Sequence, residues 1–437
     1  MFPNPHDALP LPSRPNLEQY KKRAKDLLKA SRSPNPTAIH TWFADWINSL
    51  ARLSLRDADR SSSSSVIPSE VAGPQSDPAP QSRACPELVE GDLGFSTANL
   101  EKFARKKLSP TPTLAAAQFV LARAHGFESW PKLAKHIEAT ARTNSPVNHF
   151  EQAVDAIVTG DTATLEKLLR EHPALIRAHS TRRHQATLLH YVSANGIEDF
   201  RQRTPKNIVQ IAELLLDAGA AVNAIGDVYG GSTALTLVAT SIHPEHAGVQ
   251  DSLLQLLLDH GATIDPANSA RGSSGHGSTV NACLANGRIQ AAEFLATHGA
   301  HLDLEGAAGL GLIEVVKNFF GDSGAPPSHA PITETEKTRA FLWACEYGRN
   351  NVVDFLLQRG VDIQTQANTG QTALHWAVIG GHIDTIKLLL DRGASLEARN
   401  VYGGTPLAQA LWSATNGDPK IDYAQIADIL RSRGAQE

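Results

Sequence analysis

The sequence predicts an all-α protein: a solenoid of short paired helices behind a small helical N-terminal domain. Three observations lead there. "GQTALHWA" (370–377) is answered by "GGTPLAQA" (403–410), so that Thr372 and Thr405, Leu374 and Leu407, and Ala377 and Ala410 each stand 33 positions apart. Such a period marks stacked supersecondary units. A glycine closes a short apolar run at Gly219, Gly261, Gly299, Gly360, Gly393 and Gly434, as a residue just past a helix end does. The helices so delimited are shorter than the ~12–15 residues that hold together alone in water, so each must bury a face on its neighbours.

Taken in order, residues 1–56 read as a helical segment. "LEQYKKRAKDLLKA" (17–30) sets Leu17, Tyr20, Ala24, Leu27 and Leu28 on one stripe, and "TAIHTWFADWINSLARL" (37–53) spaces Trp42, Trp46 and Leu50 as a second helix. Residues 57–94 lose this pattern to serines and prolines and are expected to be a disordered insert. Within it "ACPELVEG" (84–91) resembles the translation of a dispersed palindromic repeat of bacterial genomes. Residues 95–143 complete the N-terminal domain as a helical hairpin. Gly126 stops its first helix, Ser129 is the expected N-cap of the second, Pro131 sits early in that helix, and Phe127 and Trp130 bracket the turn. "ARTNSPVN" (141–148) reads as a short linker, and the repeat array fills 149–437. Its clearest copies are 334–366 and 367–399, where "VVDFLLQRG" matches "TIKLLLDRG" without a gap. The second helix of the latter copy is expected to bury Ile383, Ile386, Leu389 and Leu390.

These residues carry a resemblance. "GQTALHWA" with "GHIDTIKLLLDRGA" is similar to the ankyrin repeat, nearly position for position, and about eight copies cover two-thirds of the chain. The resemblance implies helix-turn-helix repeats with short β-hairpin or loop fingers. It also implies a non-catalytic scaffold that binds another protein on finger tips and on the concave side of the first helices. On that frame the candidate partner contacts are Tyr229, Asn368, Thr369, Gln371, Ile379, Val401, Tyr402 and Trp412. "VYGG" recurs at 228–231 and 401–404, which places Tyr229 and Tyr402 at equivalent tips, and Trp412 follows Ile379 by 33. Tyrosine and tryptophan bury large area at little entropic cost. Trp343 and Trp376, again 33 apart, read as a packing column, and His190 and His375 fill the slot whose imidazole bonds backbone between repeats. The N-terminal hairpin resembles a segment found ahead of ankyrin arrays in bacterial proteins, so a bacterial source is expected.

Composition narrows the rest. The chain has 437 residues, 41% of them hydrophobic, and a formal net charge of −5. No apolar run reaches the ~18 residues of a membrane span, and the proline-rich start lacks the apolar core of a secretory signal. Cys85, Cys283 and Cys345 are too few and too scattered for a disulfide framework. A cytoplasmic monomer is expected. Residues 95–143 carry 8 basic and 3 acidic groups, whereas 144–437 carry 21 and 31. The acidic array is ill suited to neutralising phosphates. A nucleic-acid-associated regulator using the basic hairpin 97–141, with Lys132 and Lys135 early in its second helix, is the alternative. His243 and His246 in "HPEH" lack further ligands in register, and proline argues against a helix there. "GSSGHGST" (272–279) lacks the P-loop lysine. No metal, cofactor or catalytic residue is expected.

Overall fold

The computed structural model describes residues 8–12, 15–62, 97–266, 278–321 and 332–436. It divides into two compact units, Met1–Thr263 and Ile264–Glu437. The division therefore falls inside the expected array rather than at its start.

In the first unit, α1 (Leu17–Ser31), α2 (Ala38–Ser62), α3 (Thr97–Leu108), α4 (Leu114–Ala124) and α5 (Trp130–Thr140) surround an apolar centre. Leu27, Phe43, Trp46, Leu100 and Leu121 are fully buried there. Helix α1 begins where Asn16 Oδ1 accepts the Glu18 N–H at 2.8 Å, and its stripe buries Tyr20, Ala24 and Leu27. Helix α2 continues past the boundary expected at 57, and residues 63–94 of the expected insert lie outside the described residues. Gly126 ends α4 at φ +78°. Phe127 beyond it is buried and Trp130 packs between the hairpin arms, as the sequence indicates. Ser129 differs from expectation: it precedes α5 but makes no side-chain capping bond. The expected linker is a tight joint. Ser145 Oγ donates to Ala139 O (2.5 Å) and accepts from Asn148 N (3.0 Å), so α6 (Pro146–Thr159) starts against α5.

Eight helix pairs follow among the described residues, the first being α6 with α7 (Thr162–Glu171). In the second pair the leading helix is a tight 3₁₀ segment, Leu188–Ser193, set before α8 (Ile208–Asp217). The third has α9 (Ala234–Thr240) and α11 (Gln250–Asp259), with the one-turn α10 (Ile242–His246) between them. Helix α10 overturns the reading of "HPEH" as non-helical. Pro244 lies in the first turn, where its missing N–H has no intrahelical acceptor to lose. The second unit stacks α12 (Thr279–Ala285) with α13 (Ile289–Thr297), α14 (Leu304–Leu310) with α15 (Ile313–Phe319), and α16 (Glu334–Glu346) with α17 (Asn350–Gln358). Last come α18 (Ala373–Ile379) with α19 (Ile383–Asp391), then α20 (Pro406–Asn416) with α21 (Tyr423–Ser432). One continuous core runs through it from Leu304 to Leu430. In α19, Ile386 and Leu389 are buried as expected, but Thr385 is buried too, while Ile383 and Leu390 are only half-buried.

The repeating residues now have causes. The helix-end glycines all adopt left-handed φ, between 82° and 99°, with open space where a Cβ would stand. They are glycine for conformation, not crowding. Gly381 is different, because a Cβ there would meet Ile421 at 2.6 Å. Four residues past several helix-end glycines, a side chain clips one repeat to the next. Asn223 Nδ2 donates to Gly261 O (2.9 Å) while its Oδ1 accepts from Thr263 N (2.8 Å). Gln364 does the same to Gly393 O (2.9 Å) and Ser395 N (3.1 Å). Asp265 and Glu397 accept only, from His301 N (2.8 Å) and Gln436 N (3.1 Å).

Candidate functional site

Five of the candidate contacts lie on two neighbouring fingers of the second unit. The first finger closes at a bridge between Gln366 and Thr372, and the second at the Asn400 N–H to Gly404 O bond of 3.0 Å. The fingers are tied to each other: Val401 N donates to Thr369 O at 3.0 Å. Asn368 and Thr369 are exposed and Gln371 is half-buried, with the Thr369 hydroxyl donating to Gln371 Oε1 (2.7 Å). Asn400 Oδ1 accepts from Tyr402 N and Gly404 N, both at 3.0 Å, which holds the turn that presents Tyr402. Below each finger starts a first helix. Thr372 and His375 cap one another at the head of α18, and His375 Nε2 donates to Gly404 O (3.1 Å), joining that helix to the next finger. His190 makes the equivalent bond to Ser232 O at 3.1 Å, so both histidines have the structural role expected of them.

Exposure sorts the candidates. Val401, Tyr402 and Trp412 are 63%, 85% and 60% exposed, and Leu411, which the sequence reading missed, is 42% exposed. Ile379 closes α18 and is half-buried. Tyr229 stands apart from this group. Despite the shared "VYGG", Val228 is fully buried where Val401 is exposed, and Tyr229 takes φ +50° where its counterpart does not. The Asp227 N–H donates to His184 O (2.7 Å) and draws that finger down against Gly196. The two tips are thus not equivalent.

The first unit contains a feature that sequence reading did not find. Arg182 and Arg201, nearly without solvent contact, are interleaved with Glu151 and Glu198. Arg182 Nη1 lies 2.9 Å from Glu151 and 3.0 Å from Glu198, and Arg201 Nη1 lies 2.8 Å from each. His184 Nε2 and Tyr191 OH also donate to Glu198 Oε1, at 2.9 and 3.2 Å. Burial pushes both glutamates upward, but the two guanidinium groups outweigh it. Glu151 is held at about 2 and Glu198 well below the usual carboxylate range. A cavity of about 290 Å³ opens beside the cluster, near His136, Asn148 and Phe200. Arg182, which lines it, keeps a buried Nε donor without a hydrogen bond. The Glu198 carboxylate faces cations, His184 Nδ1 is occupied by the Ala186 N–H (3.1 Å), and the Thr140 hydroxyl donates to His136 O (3.0 Å). This clasp fastens the hairpin to the first repeats, since Arg182 stacks over Phe127 and Arg183 N donates to Gly126 O (3.0 Å).

Among the described residues, no group of three His, Cys, Asp or Glu is placed to hold a metal, and no helix is long and apolar enough to cross a membrane. In the basic hairpin, Lys132 is paired with Glu128, and α5 packs against α6.

Stacked helix pairs, finger bridges and interlocking caps define an all-α repeat solenoid class of protein. Residues 304–400 and 341–435 match the family model of ankyrin repeats, in three copies. Over residues 304–435 the chain carries ankyrin repeats. Comparison with curated proteins gives no match.

Proposed function

We propose that this protein is a non-catalytic scaffold that binds a partner protein through the fingers and first-helix face of its last repeats. Ankyrin repeats are in general protein-interaction modules. The observation that carries the reading is the joint exposure of Val401, Tyr402, Leu411 and Trp412 on one repeat. Large aromatics left in water on a rigid, hydrogen-bonded frame cost a soluble protein solubility, and they make strong anchors once covered. Tyr229, on its own finger in the first unit, is a secondary contact. The two described cysteines, Cys283 and Cys345, are buried, and we place the protein as a monomer in a reducing, cytoplasmic setting.

The test is affinity capture with the full chain as bait beside its Tyr402→Ala/Trp412→Ala double variant. Both should give the same thermal transition, within about 0.5 kcal/mol, because surface truncations away from the core cost little. A partner retained by the parent should be lost from the double variant. Retention by both chains would remove this face from the binding surface.

A further inference from the structure

We propose that Trp376, Ile379 and Trp412 form, with Glu346, a receptor face for an arginine-bearing segment of the partner protein. The guanidinium pairs with the Glu346 carboxylate and stacks on indole. This rests on the binding role proposed above and names the chemistry that the face reads.

Position comes first. Glu346, Ile379 and Trp412 are successive members of the 33-residue register, at the same place on α16, α18 and α20. These helices lie side by side, so closely that a Cβ on Gly380 would collide with the Glu346 carbonyl oxygen. Trp376 precedes Ile379 by three residues and shares its side of α18.

The second observation is an unmet charge. Glu346 is half-buried, yet among the described residues its carboxylate makes no hydrogen bond or ion pair. Other shielded carboxylates of this unit have partners: Arg339 lies 3.3 Å from Glu305, Arg392 pairs with Asp354, and Asp303 accepts from Asn281 Nδ2 (2.6 Å) and Gly306 N (2.8 Å). Withdrawing a carboxylate from water without a partner is costly. Burial, with no opposing cation, raises Glu346 to about 7. The charged and titratable groups on the elements packed against it are otherwise engaged. Tyr347 OH donates to Leu284 O, Arg349 Nε to Gly309 O (3.0 Å), and His375 to Gly404 O. His382 bonds only the Glu346 backbone oxygen.

The third is complementarity. Residues 264–437 carry 18 acidic and 13 basic side chains, a field that favours approach of a basic partner. Among cations, arginine fits best, because its planar group grips a carboxylate with two donors and stacks on an aromatic face.

Random 12-residue peptides displayed on phage, selected on the full chain at pH 8, test this. Enriched peptides should carry arginine, and a synthetic copy should bind about tenfold more weakly after Glu346→Gln, a change that keeps shape and fold. Its affinity should rise from pH 6 to pH 8 as Glu346 ionises, and that slope should vanish in the variant. Peptides that need Tyr402 or Trp412 but lack basic residues, or ignore Glu346→Gln, would overturn the inference and leave the binding role standing. Absence of any peptide dependent on Tyr402 or Trp412 would remove both. Dimerisation of the chain that Trp412→Ala abolishes would overturn it in favour of a second copy as occupant.

Discussion

Glu198 has no solvent contact and accepts from Arg182, Arg201, His184 and Tyr191. Removing it would strand two guanidinium groups in a low-dielectric interior. Breaking a buried pair in this way typically costs about 3–5 kcal/mol. Glu198→Ala should therefore lower the urea midpoint of the first unit markedly, read by hydrogen exchange of the α6 amides. The clasp was illegible in the sequence for a physical reason. Glu151 is 31 residues before Arg182, and "IEDFRQR" reads as a polar insert until the chain folds it back onto α6. Glu346 was within reach, because it stands one period before Ile379. What the period does not reveal is that its carboxylate goes unpaired.

Short first helices such as α18 depend on the contacts at their heads. Thr372 and His375 each satisfy the other's backbone, and the imidazole then reaches the following finger. His375→Ala removes a cap and an inter-repeat bond from a buried site, a loss of about 2 kcal/mol. A thermal melt should show it, with increased exchange at the 399–404 finger. Element starts and stops were readable here because each is set by a local requirement: a threonine cap, or a glycine of left-handed φ. The sequence misread elements where tertiary context decides. The second pair opens with a 3₁₀ segment instead of an α-helix, and α10 forms around a proline. The identical "VYGG" tips diverge because the preceding finger holds them at different atoms: His184 O takes the Asp227 N–H in one, and Thr369 O takes the Val401 N–H in the other.

The molecule as a whole responds to acid unevenly. Burial lowers His125 to about 3 and His136 and His190 to about 4. These groups stay neutral in the fold and would charge on unfolding below their ordinary value of about 6.5. The unfolded chain therefore binds more protons in this window. Stability is present above about pH 6.5 and is lost as pH falls toward 4. Glu346 acts with the opposite sign. Its raised value makes the folded chain the better proton binder, so its contribution is present at low pH and lost as pH rises through about 7. Hydrogen exchange at pH 7 and pH 5, corrected for intrinsic rates, should show α4 and α5 losing protection while α16 loses less.

The side-chain clips carry one more consequence. Gln364 reaches the backbone at Gly393 and Ser395, and one repeat later Glu397 accepts from Gln436 N, at the matching place beyond Gly434. The bond is thus addressed to a place in the register and not to a particular neighbour. A gene rearrangement that deletes one whole period of 33 codons, 367–399, would offer Gln364 an equivalent acceptor and donor. Extra residues between the two helices of a repeat leave the joint intact, as the α10 insert does between Asn223 and its partners at Gly261 and Thr263. Evolution can therefore lengthen or shorten the reading surface by repeats, and decorate single repeats, without redesigning its joints.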